Sequence, residues 1–295
     1  MELRQLTTFQ MVARTLSFSQ TAVSLNYAQS TVSAQIQTLE NELGVTLFDR
    51  LGRKVILTEA GRQLLDYADK MLALAGEAQT AVSNADTPRG TLTISAPETL
   101  CTYRLPPLLQ QYRTSYPDVQ LIFQPKPSHD WERPLSDGSL DLMFVMDQPL
   151  RTAVLTTESL VVEPLLLLAN PSHPLGQLDQ LHYPDLLDQA FVLTEPSCGY
   201  RRLFERRLAD VGIQPAQRMA FHSVEAIKQC VIAGLGVALL PEVAVRHEVA
   251  DGKLVVLPWM ERPFEVVTQM IWHKKKWQSP ALQAFLRLAG ECIAV

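Results

Sequence analysis

The chain has 295 residues, of which 47% are hydrophobic and 19% are charged, and its formal net charge is -5. This composition excludes a chain that is disordered throughout, and the length predicts two or three domains. The longest apolar stretch, residues 161–170, contains Glu163 and Pro164 and is too short to span a bilayer, which excludes an integral membrane protein.

Three helices are predicted at the start of the chain. Apolar residues recur at helical spacing over residues 3–13, which predicts an amphipathic helix. Ser17 and Gln20 have the spacing of a capping box, so a second, short helix is predicted to begin there and to run to about Leu25. The third helix has Gly44 as its predicted C-cap and four apolar positions expected to face inward: Val32, Ile36, Leu39 and Leu43.

A hairpin and a long helix are predicted next. Residues 45–57 contain two short extended segments around a basic turn, which predicts a small hairpin with a basic tip. Thr58 is expected to cap the following helix, and the helix ends before a hinge at residues 86–90. Apolar residues recur along this helix at alternating spacings of four and three, which is typical of a coiled-coil seam. They are Ala60, Leu64, Tyr67, Met71, Leu74, Ala78 and Ala81.

Beyond the hinge, strand-like and helix-like segments alternate. This alternation predicts parallel sheets flanked by helices, and the size of the region favours two sheets with a cleft between them. The predicted strands are residues 91–95, 119–124, 141–146, 191–194, 219–221, 237–240 and 266–272.

Export, disulfide and metal signals are lacking in the sequence. The N-terminus has no basic segment followed by an apolar run and a cleavage site, so we expect a cytoplasmic protein. The four cysteines are widely spaced, which favours reduced thiols over disulfides or zinc ligands. The six histidines show no helical pair with metal-ligand spacing, and no cofactor or metal is predicted.

The N-terminal elements have the order of a winged helix-turn-helix, in which the third helix enters the major groove of DNA. Gln29 and Gln37 would contact base edges, and small neighbours would allow close approach of the helix to DNA. An alternative is a packing module with a solvated basic turn. The candidate DNA contacts are Gln29, Ser30, Thr31, Ser33, Gln37, Arg50, Arg53 and Lys54.

Ordered motifs occur in both parts of the chain. In the N-terminal part they are residues 18–22, 29–36, 39–44, 47–50 and 57–61. In the C-terminal part they are residues 105–109, 116–117, 137–141 and 233–237. The first group resembles the DNA-binding module, and the second the effector-binding domain, of the LysR-type transcriptional regulators, so the resemblance extends over the whole chain.

The resemblance implies a recognition helix that begins at Gln29, a wing around Arg53 and a dimerising linker helix. It also implies an effector-binding domain similar to periplasmic binding proteins, and assembly as a dimer or as a tetramer built from two dimers. The implied partners are double-stranded promoter or operator DNA, a small-molecule effector, further copies of the chain and RNA polymerase, with no membrane. The expected dimerisation residues are Leu64, Tyr67, Met71, Leu74 and Ala78.

Two positions depart from the family pattern. Ala28 stands where members often have a Ser or Thr that caps the recognition helix, and Ala34 stands where many have Arg. Without that arginine, we expect DNA affinity to depend more on the wing.

The predicted architecture is α/β with an N-terminal winged helix-turn-helix. Its parts are residues 1–57 for DNA binding, 58–86 for the linker helix, 87–90 for the hinge and 91–295 for effector binding. Within the last part, subdomain I comprises residues 91–162 and 266–295, and subdomain II comprises residues 163–265.

Candidate effector contacts lie in loops that follow predicted strands. Thr99 and Thr102 precede or begin a helix whose free N–H groups favour an anion, although both hydroxyls could simply cap that helix. Glu98 beside them would disfavour an anionic ligand if it faced the cleft. The full set is Thr99, Leu100, Thr102, Ser128, Ser197, Cys198, Arg201 and Ser223.

Two of these residues have open alternatives. Arg201 could pair with a carboxylate in bidentate fashion or begin a solvated helix. Cys198 could be a packing residue, an effector contact or a redox sensor.

The sequence therefore predicts a ligand-responsive, sequence-specific DNA-binding regulator that is not an enzyme. The competing interpretation is a solute-binding protein or enzyme whose cleft is the main function. Gly234 and Gly236 lack the third glycine of a dinucleotide loop, and close packing explains them better. The complete winged helix and the lack of an export signal favour the regulator.

Overall fold

The computed structural model describes residues 1–51, 54–82, 87–124, 131–213 and 217–293. The chain forms two compact units, an N-terminal one with four helices and a hairpin and a C-terminal one with the remaining helices and sheets. Within these residues, no helix is both long enough and apolar enough to cross a membrane.

The N-terminal unit has the predicted order of elements. They are α1 (Leu3–Thr15), α2 (Phe18–Ser24), α3 (Gln29–Leu43), β1 (Phe48–Leu51), β2 (Lys54–Leu57) and α4 (Glu59–Val82). Both predicted side-chain caps are confirmed, since Ser17 Oγ accepts the N–H of Gln20 at 3.3 Å and Thr58 Oγ1 accepts the N–H of Gly61 at 3.0 Å. The predicted C-cap is confirmed as well, because Gly44 ends α3 with a φ of +69°.

The C-terminal unit begins at β3. Its helices are α5 (Glu98–Tyr103), α6 (Leu105–Ser115), α7 (Glu132–Ser136), α8 (Gly199–Asp210), α9 (Val224–Ile232), α10 (Glu242–Ala250) and α11 (Pro280–Ile293). Its strands are β3 (Gly90–Ser95), β4 (Val119–Phe123), β5 (Leu142–Asp147), β6 (Leu155–Ala169), β7 (Ala190–Leu193), β8 (Gln217–Ala220), β9 (Ala238–Pro241), β10 (Val255–Val256) and β11 (Phe264–His273).

The sheets of this unit are mixed, so the prediction of parallel sheets is wrong in part. The larger sheet has the order β10-β6-β11-β5-β3-β4, with β9 also paired to β6, and a smaller sheet pairs β7 with β8. Among the strand pairs of the described residues, β3-β4, β3-β5 and β7-β8 are the parallel ones. The reason is that β11 inserts between β5 and β6 and runs antiparallel to both.

The long strand β6 was missing from the predicted elements, because Glu163 and Pro164 interrupt its apolar pattern. It pairs with β11 over residues 155–165 and with β9 over residues 165–168. The predicted subdomain limits fall inside these two strands, where Glu163 and Val266 are register partners. The limits of the DNA-binding, linker and hinge segments stay predictions, and residues 83–86 lie outside the described chain.

Glu163 is a buried carboxylate near the middle of β6. Its two oxygens accept hydrogen bonds from Arg104 Nε at 2.9 Å and Arg104 Nη2 at 2.8 Å, and Thr268 Oγ1 donates to the first oxygen at 3.1 Å. Because an unpaired buried charge is costly, the bidentate geometry is what makes Glu163 tolerable at this position.

We expect Glu163→Gln to lower the free energy of unfolding by roughly 3 kcal/mol, because it leaves the Arg104 guanidinium without a counter-charge in a mostly buried site. The matched control is Glu59→Gln, which removes a carboxylate from the exposed pair with Arg62 and should cost less than about 1 kcal/mol. Urea denaturation measures both changes. Equal effects for the two variants would contradict the structural role of Glu163.

Candidate functional site

The third helix presents a polar outward face. The inward residues Val32, Ile36 and Leu39 are fully buried, as predicted. Leu43 was predicted to face inward too, but it is 40% exposed, because it is the last residue of α3 and lies beyond the buried stretch. That part of the prediction is wrong.

Four of the predicted DNA contacts on α3 are exposed, and one is half-buried. Gln29, Ser30, Thr31 and Gln37 are the exposed ones, and Ser33 is half-buried. Neighbours orient both glutamine amides: Ser19 Oγ donates to Gln29 Oε1 at 3.4 Å, and Gln37 Nε2 donates to Asn41 Oδ1 at 3.2 Å. The face therefore offers amide groups that remain accessible.

The N-terminus of α3 is not capped by a side chain. Ala28 occupies the N-cap position and has no side-chain hydrogen bond to offer, as its sequence departure from the family pattern implies. Its carbonyl accepts the N–H groups of Thr31 and Val32. Uncapped N–H groups at a helix N-terminus favour a phosphate or another anion.

The predicted basic hairpin is present. β1 and β2 are antiparallel, with Leu51 and Lys54 as the register pair nearest the tip. The tip itself, with Arg53, lies outside the described residues, and only the backbone of Arg50 and Lys54 is described. The assignment of these three basic residues to DNA stays a prediction.

Helix α4 has two apolar faces. One face, which includes Ala68 and Leu72, packs into the N-terminal core, and Leu64 is partly buried with it. The other face leaves Tyr67 at 60% and Leu74 at 66% exposure. Met71 and Ala78 are exposed on that same stripe, at helical spacing. Four of the five predicted dimerisation residues therefore form an uncovered apolar stripe.

A cavity lies among the N-terminal ends of α5, α8 and α9 in the C-terminal unit. Its lining also includes residues from the end of β5 and from the segment after β7. The lining residues are Pro97, Glu98, Thr99, Met146, Thr194, Glu195, Cys198, Gly199, Tyr200, His222 and Val224.

Two of the eight predicted effector residues, Thr99 and Cys198, line this cavity. Leu100 lies behind the wall as part of the hydrophobic core. Thr102 is exposed and donates through Oγ1 to Glu98 Oε1 at 3.5 Å. Each hydroxyl predicted on α5 is therefore on the correct helix, but only one faces the cavity.

The remaining hydroxyl predictions have structural partners or lie elsewhere. Ser223 Oγ caps α9 by accepting the N–H of Ala226 at 3.4 Å. Ser197 is not a lining residue of the cavity, and its backbone carbonyl accepts a hydrogen bond from Arg202. Ser128 lies outside the described residues.

The two arginines at the start of α8 pair with protein groups. Arg201 is buried, with its guanidinium 3.1 Å from Glu205 Oε1 and bonded to the carbonyl of Thr194. Arg201 does not line the cavity, which disfavours the interpretation as a partner of an effector carboxylate. It is also buried, which disfavours the interpretation as the start of a solvated helix. Arg202 forms an ion pair with Asp147.

The cavity wall is acidic. Glu98 Oε2 accepts the N–H of Val224 at 3.4 Å, so this carboxylate occupies the N-terminus of α9. Burial raises the pKa of Glu98, and the nearby Glu195 contributes in the same direction. Glu195 and His222 also line the cavity. The loop that begins at Glu195 was expected to face the cleft, but neither residue was among the candidate effector contacts. Their sequence signal is a position just after a predicted strand.

Buried hydroxyls without a partner surround the cavity. Among the described residues, Thr194 Oγ1, Tyr200 OH and Ser95 Oγ are buried with no hydrogen-bond partner. The first two belong to residues that line the cavity. Unsatisfied buried polar groups are rare and costly, so these two hydroxyls are unusual features of the cavity wall.

Cys198 has the properties of a packing residue that touches the cavity. It is buried in the hydrophobic core, and this burial raises the pKa of its thiol. Reactive thiols have a lowered pKa and an accessible sulfur. The environment therefore disfavours the redox interpretation of Cys198.

Close packing explains two glycines of this unit. A Cβ on Gly199 would overlap the carbonyl oxygen of Met146, so glycine lets α8 approach β5. A Cβ on Gly236 would overlap the carbonyl oxygen of Ala190, and the φ of Gly236 is +149°. The sequence interpretation as packing glycines is confirmed for Gly236. It is wrong for Gly234, where a Cβ would meet no atom within 4 Å and the φ of +80° is what favours glycine. No cluster of metal-binding side chains occurs in the described part of the chain.

Two family models match the chain. The model described as a bacterial regulatory helix-turn-helix protein of the lysR family matches residues 3–62, and the model of the LysR substrate binding domain matches residues 85–292. The helix-turn-helix-type transcriptional regulator YwqM of Bacillus subtilis is 44% identical over 98% of both chains.

Solved structures share the fold over nearly the whole chain. A full-length variant of OxyR from Pseudomonas aeruginosa is similar with a TM-score of 0.71 and 25% identity, covering 100% of this chain and 95% of that one. Full-length CbnR complexed with its target DNA has a TM-score of 0.69 and 23% identity, covering 99% and 100%, which is a likeness in fold.

Proposed function

The chain belongs to the LysR family of bacterial transcriptional regulators, and on this basis we propose which of its surfaces contact DNA, effector and a second copy. It is a DNA-binding regulator with an effector-binding domain and not an enzyme. In our proposal, α3 contacts base edges through Gln29 and Gln37, and the β1-β2 hairpin contacts the DNA backbone. The cavity at α5, α8 and α9 holds the effector.

The polar, uncovered face of α3 is the observation that supports this DNA interface. A recognition helix contacts base edges with its N-terminal residues, and Gln29 to Ser33 form the first turns of α3. A glutamine amide pairs with adenine in the major groove. The uncapped N-terminus at Ala28 leaves N–H groups for a phosphate, which suits the absence of an arginine at Ala34.

The uncovered stripe on α4 supports self-association. Tyr67, Met71, Leu74 and Ala78 form a contiguous apolar surface on one helix, and such surfaces mark protein interfaces. A second copy of the same helix presents the same surface, which suits a two-fold dimer. Tetramer formation and contact with RNA polymerase follow from the family resemblance alone.

We expect Gln29→Ala to weaken binding to the specific operator by about 1–3 kcal/mol, because it removes an amide that pairs with a base edge. The matched control is Gln63→Ala, which removes an exposed glutamine from α4 and should leave affinity unchanged. Fluorescence anisotropy with operator and unrelated duplexes measures both. An equal loss on the two duplexes would contradict base readout by Gln29.

Arg53→Ala should instead weaken binding to every duplex, because a phosphate contact carries no sequence information. The slope of log affinity against log salt concentration should fall by about one charge. A salt slope identical to that of the unmodified chain would refute the wing assignment.

We expect Leu74→Glu to dissociate the oligomer and to weaken operator binding, because it places a carboxylate in the middle of the apolar stripe. Leu74 is 66% exposed within the chain, so the substitution should not disturb the fold of the protomer. Ala73→Glu adds the same charge to an exposed position off the stripe and serves as the control. Sedimentation velocity distinguishes them, and an intact oligomer in Leu74→Glu would disprove this interface.

A further inference from the structure

Two carboxylates line the effector cavity, and the part of its wall that the structure describes has no lysine or arginine to pair with them. Glu98 and Glu195 are on its wall, together with His222. Glu98 is held in place by the N–H of Val224. Two carboxylates that share a small, partly buried site repel each other, so a bound positive charge would stabilise the site.

Three cations of the described residues near the cavity are engaged in other pairs. Arg201 pairs with Glu205, and Arg202 pairs with Asp147. Lys228 Nζ lies 2.7 Å from a carboxylate oxygen of each of two glutamates, Glu225 and Glu248. These side chains already have counter-charges, so recruiting one into the cavity would break an existing ion pair.

The unpartnered hydroxyls are an independent sign of a ligand. Thr194 and Tyr200 line the cavity and are each more than nine-tenths buried. Their oxygens make no hydrogen bond of normal geometry among the described residues, although the Cys198 thiol lies near both and the Thr99 hydroxyl lies near Tyr200. A ligand that reaches these oxygens would satisfy them.

We propose that the effector of this protein is a small organic ammonium ion bound by Glu98 and Glu195, with the hydroxyls of Thr194 and Tyr200 completing its contacts. An ammonium group has three N–H donors and no acceptor, and the wall supplies carboxylate and hydroxyl oxygens as acceptors. This assignment of a ligand class rests on the proposed role of the cavity as the effector site.

An anionic effector fits the same cavity poorly. The N-terminus of α9 would attract an anion, but Glu98 already occupies it with a 3.4 Å hydrogen bond to the N–H of Val224. A carboxylate ligand would add a third negative charge beside Glu98 and Glu195. Binding would then require displacement or protonation of a glutamate.

The test compares ethanolammonium chloride with sodium glycolate, two small hydroxylated probes of opposite charge, at equal ionic strength on the full chain. We expect ethanolammonium to raise the Tm by roughly 2–4 °C near ten times its dissociation constant, and glycolate to have no effect. The rise should disappear in Glu195→Gln and shrink in Thr194→Val. Glu265→Gln, at an exposed position outside the cavity lining, should respond like the unmodified chain.

Two further readouts keep the result interpretable. The unliganded Glu195→Gln chain should melt no lower than the unmodified chain, since it loses a repulsive charge. If Glu195→Gln does not fold, Glu98→Gln provides the second test.

Binding of each sample to duplex DNA at low salt is measured in parallel. An unmodified chain that does not bind DNA would refute the proposed function itself.

Three outcomes would overturn the ligand class while leaving DNA binding intact. They are stabilisation by glycolate and not by ethanolammonium, stabilisation by zinc chloride alone, and no response to the amine at tens of millimolar. An amine response retained in both Glu98→Gln and Glu195→Gln would place the amine outside this cavity and overturn the proposal as well.

Discussion

The C-terminal unit depends on the buried ion pair between Glu163 and Arg104. Glu163 lies where β6 changes partners, pairing with β11 on one side and approaching β9 on the other. A charge at this depth requires a bidentate partner, and Arg104, between α5 and α6, provides it. The same contact therefore attaches α5, which carries Glu98 and Thr99, to the central strands. The cavity wall is positioned by a residue that does not touch the cavity.

Charge pairing also determines what the cavity can bind. Helix N-termini converge on it, and in most proteins such an arrangement attracts an anion. Here the protein supplies that anion itself through Glu98, while Arg201 and Arg202 are turned away to Glu205 and Asp147. The backbone of the site thus has the geometry of an anion site, but its side chains have the charge of a cation site. The side chains determine the charge of the ligand because they carry full charges.

The N-terminal elements were predictable from the sequence because their signals are local. Caps at Ser17 and Thr58 and the glycine at Gly44 act within a few residues, so spacing alone locates them. The strand β6 was not predictable in this way, because the partner that makes Glu163 tolerable is 59 residues away. Likewise, the sequence placed an arginine at position 201 near the cavity but contained no signal that Glu205, one turn later, and the carbonyl of Thr194 would hold it.

The hydrogen bond between Glu98 and Val224 connects ligand binding to the relation between the two halves of the C-terminal unit. Glu98 follows β3, whereas Val224 begins α9 and packs in the core of the other half. A ligand that takes an oxygen of Glu98 competes with the N–H of Val224 for that oxygen. Such a ligand would therefore bind with different affinity to a state that keeps this hydrogen bond and to a state that lacks it. Differential affinity of this kind is the requirement for a ligand to shift a conformational equilibrium, and the position of Glu98 would let one carboxylate take part in both recognition and response.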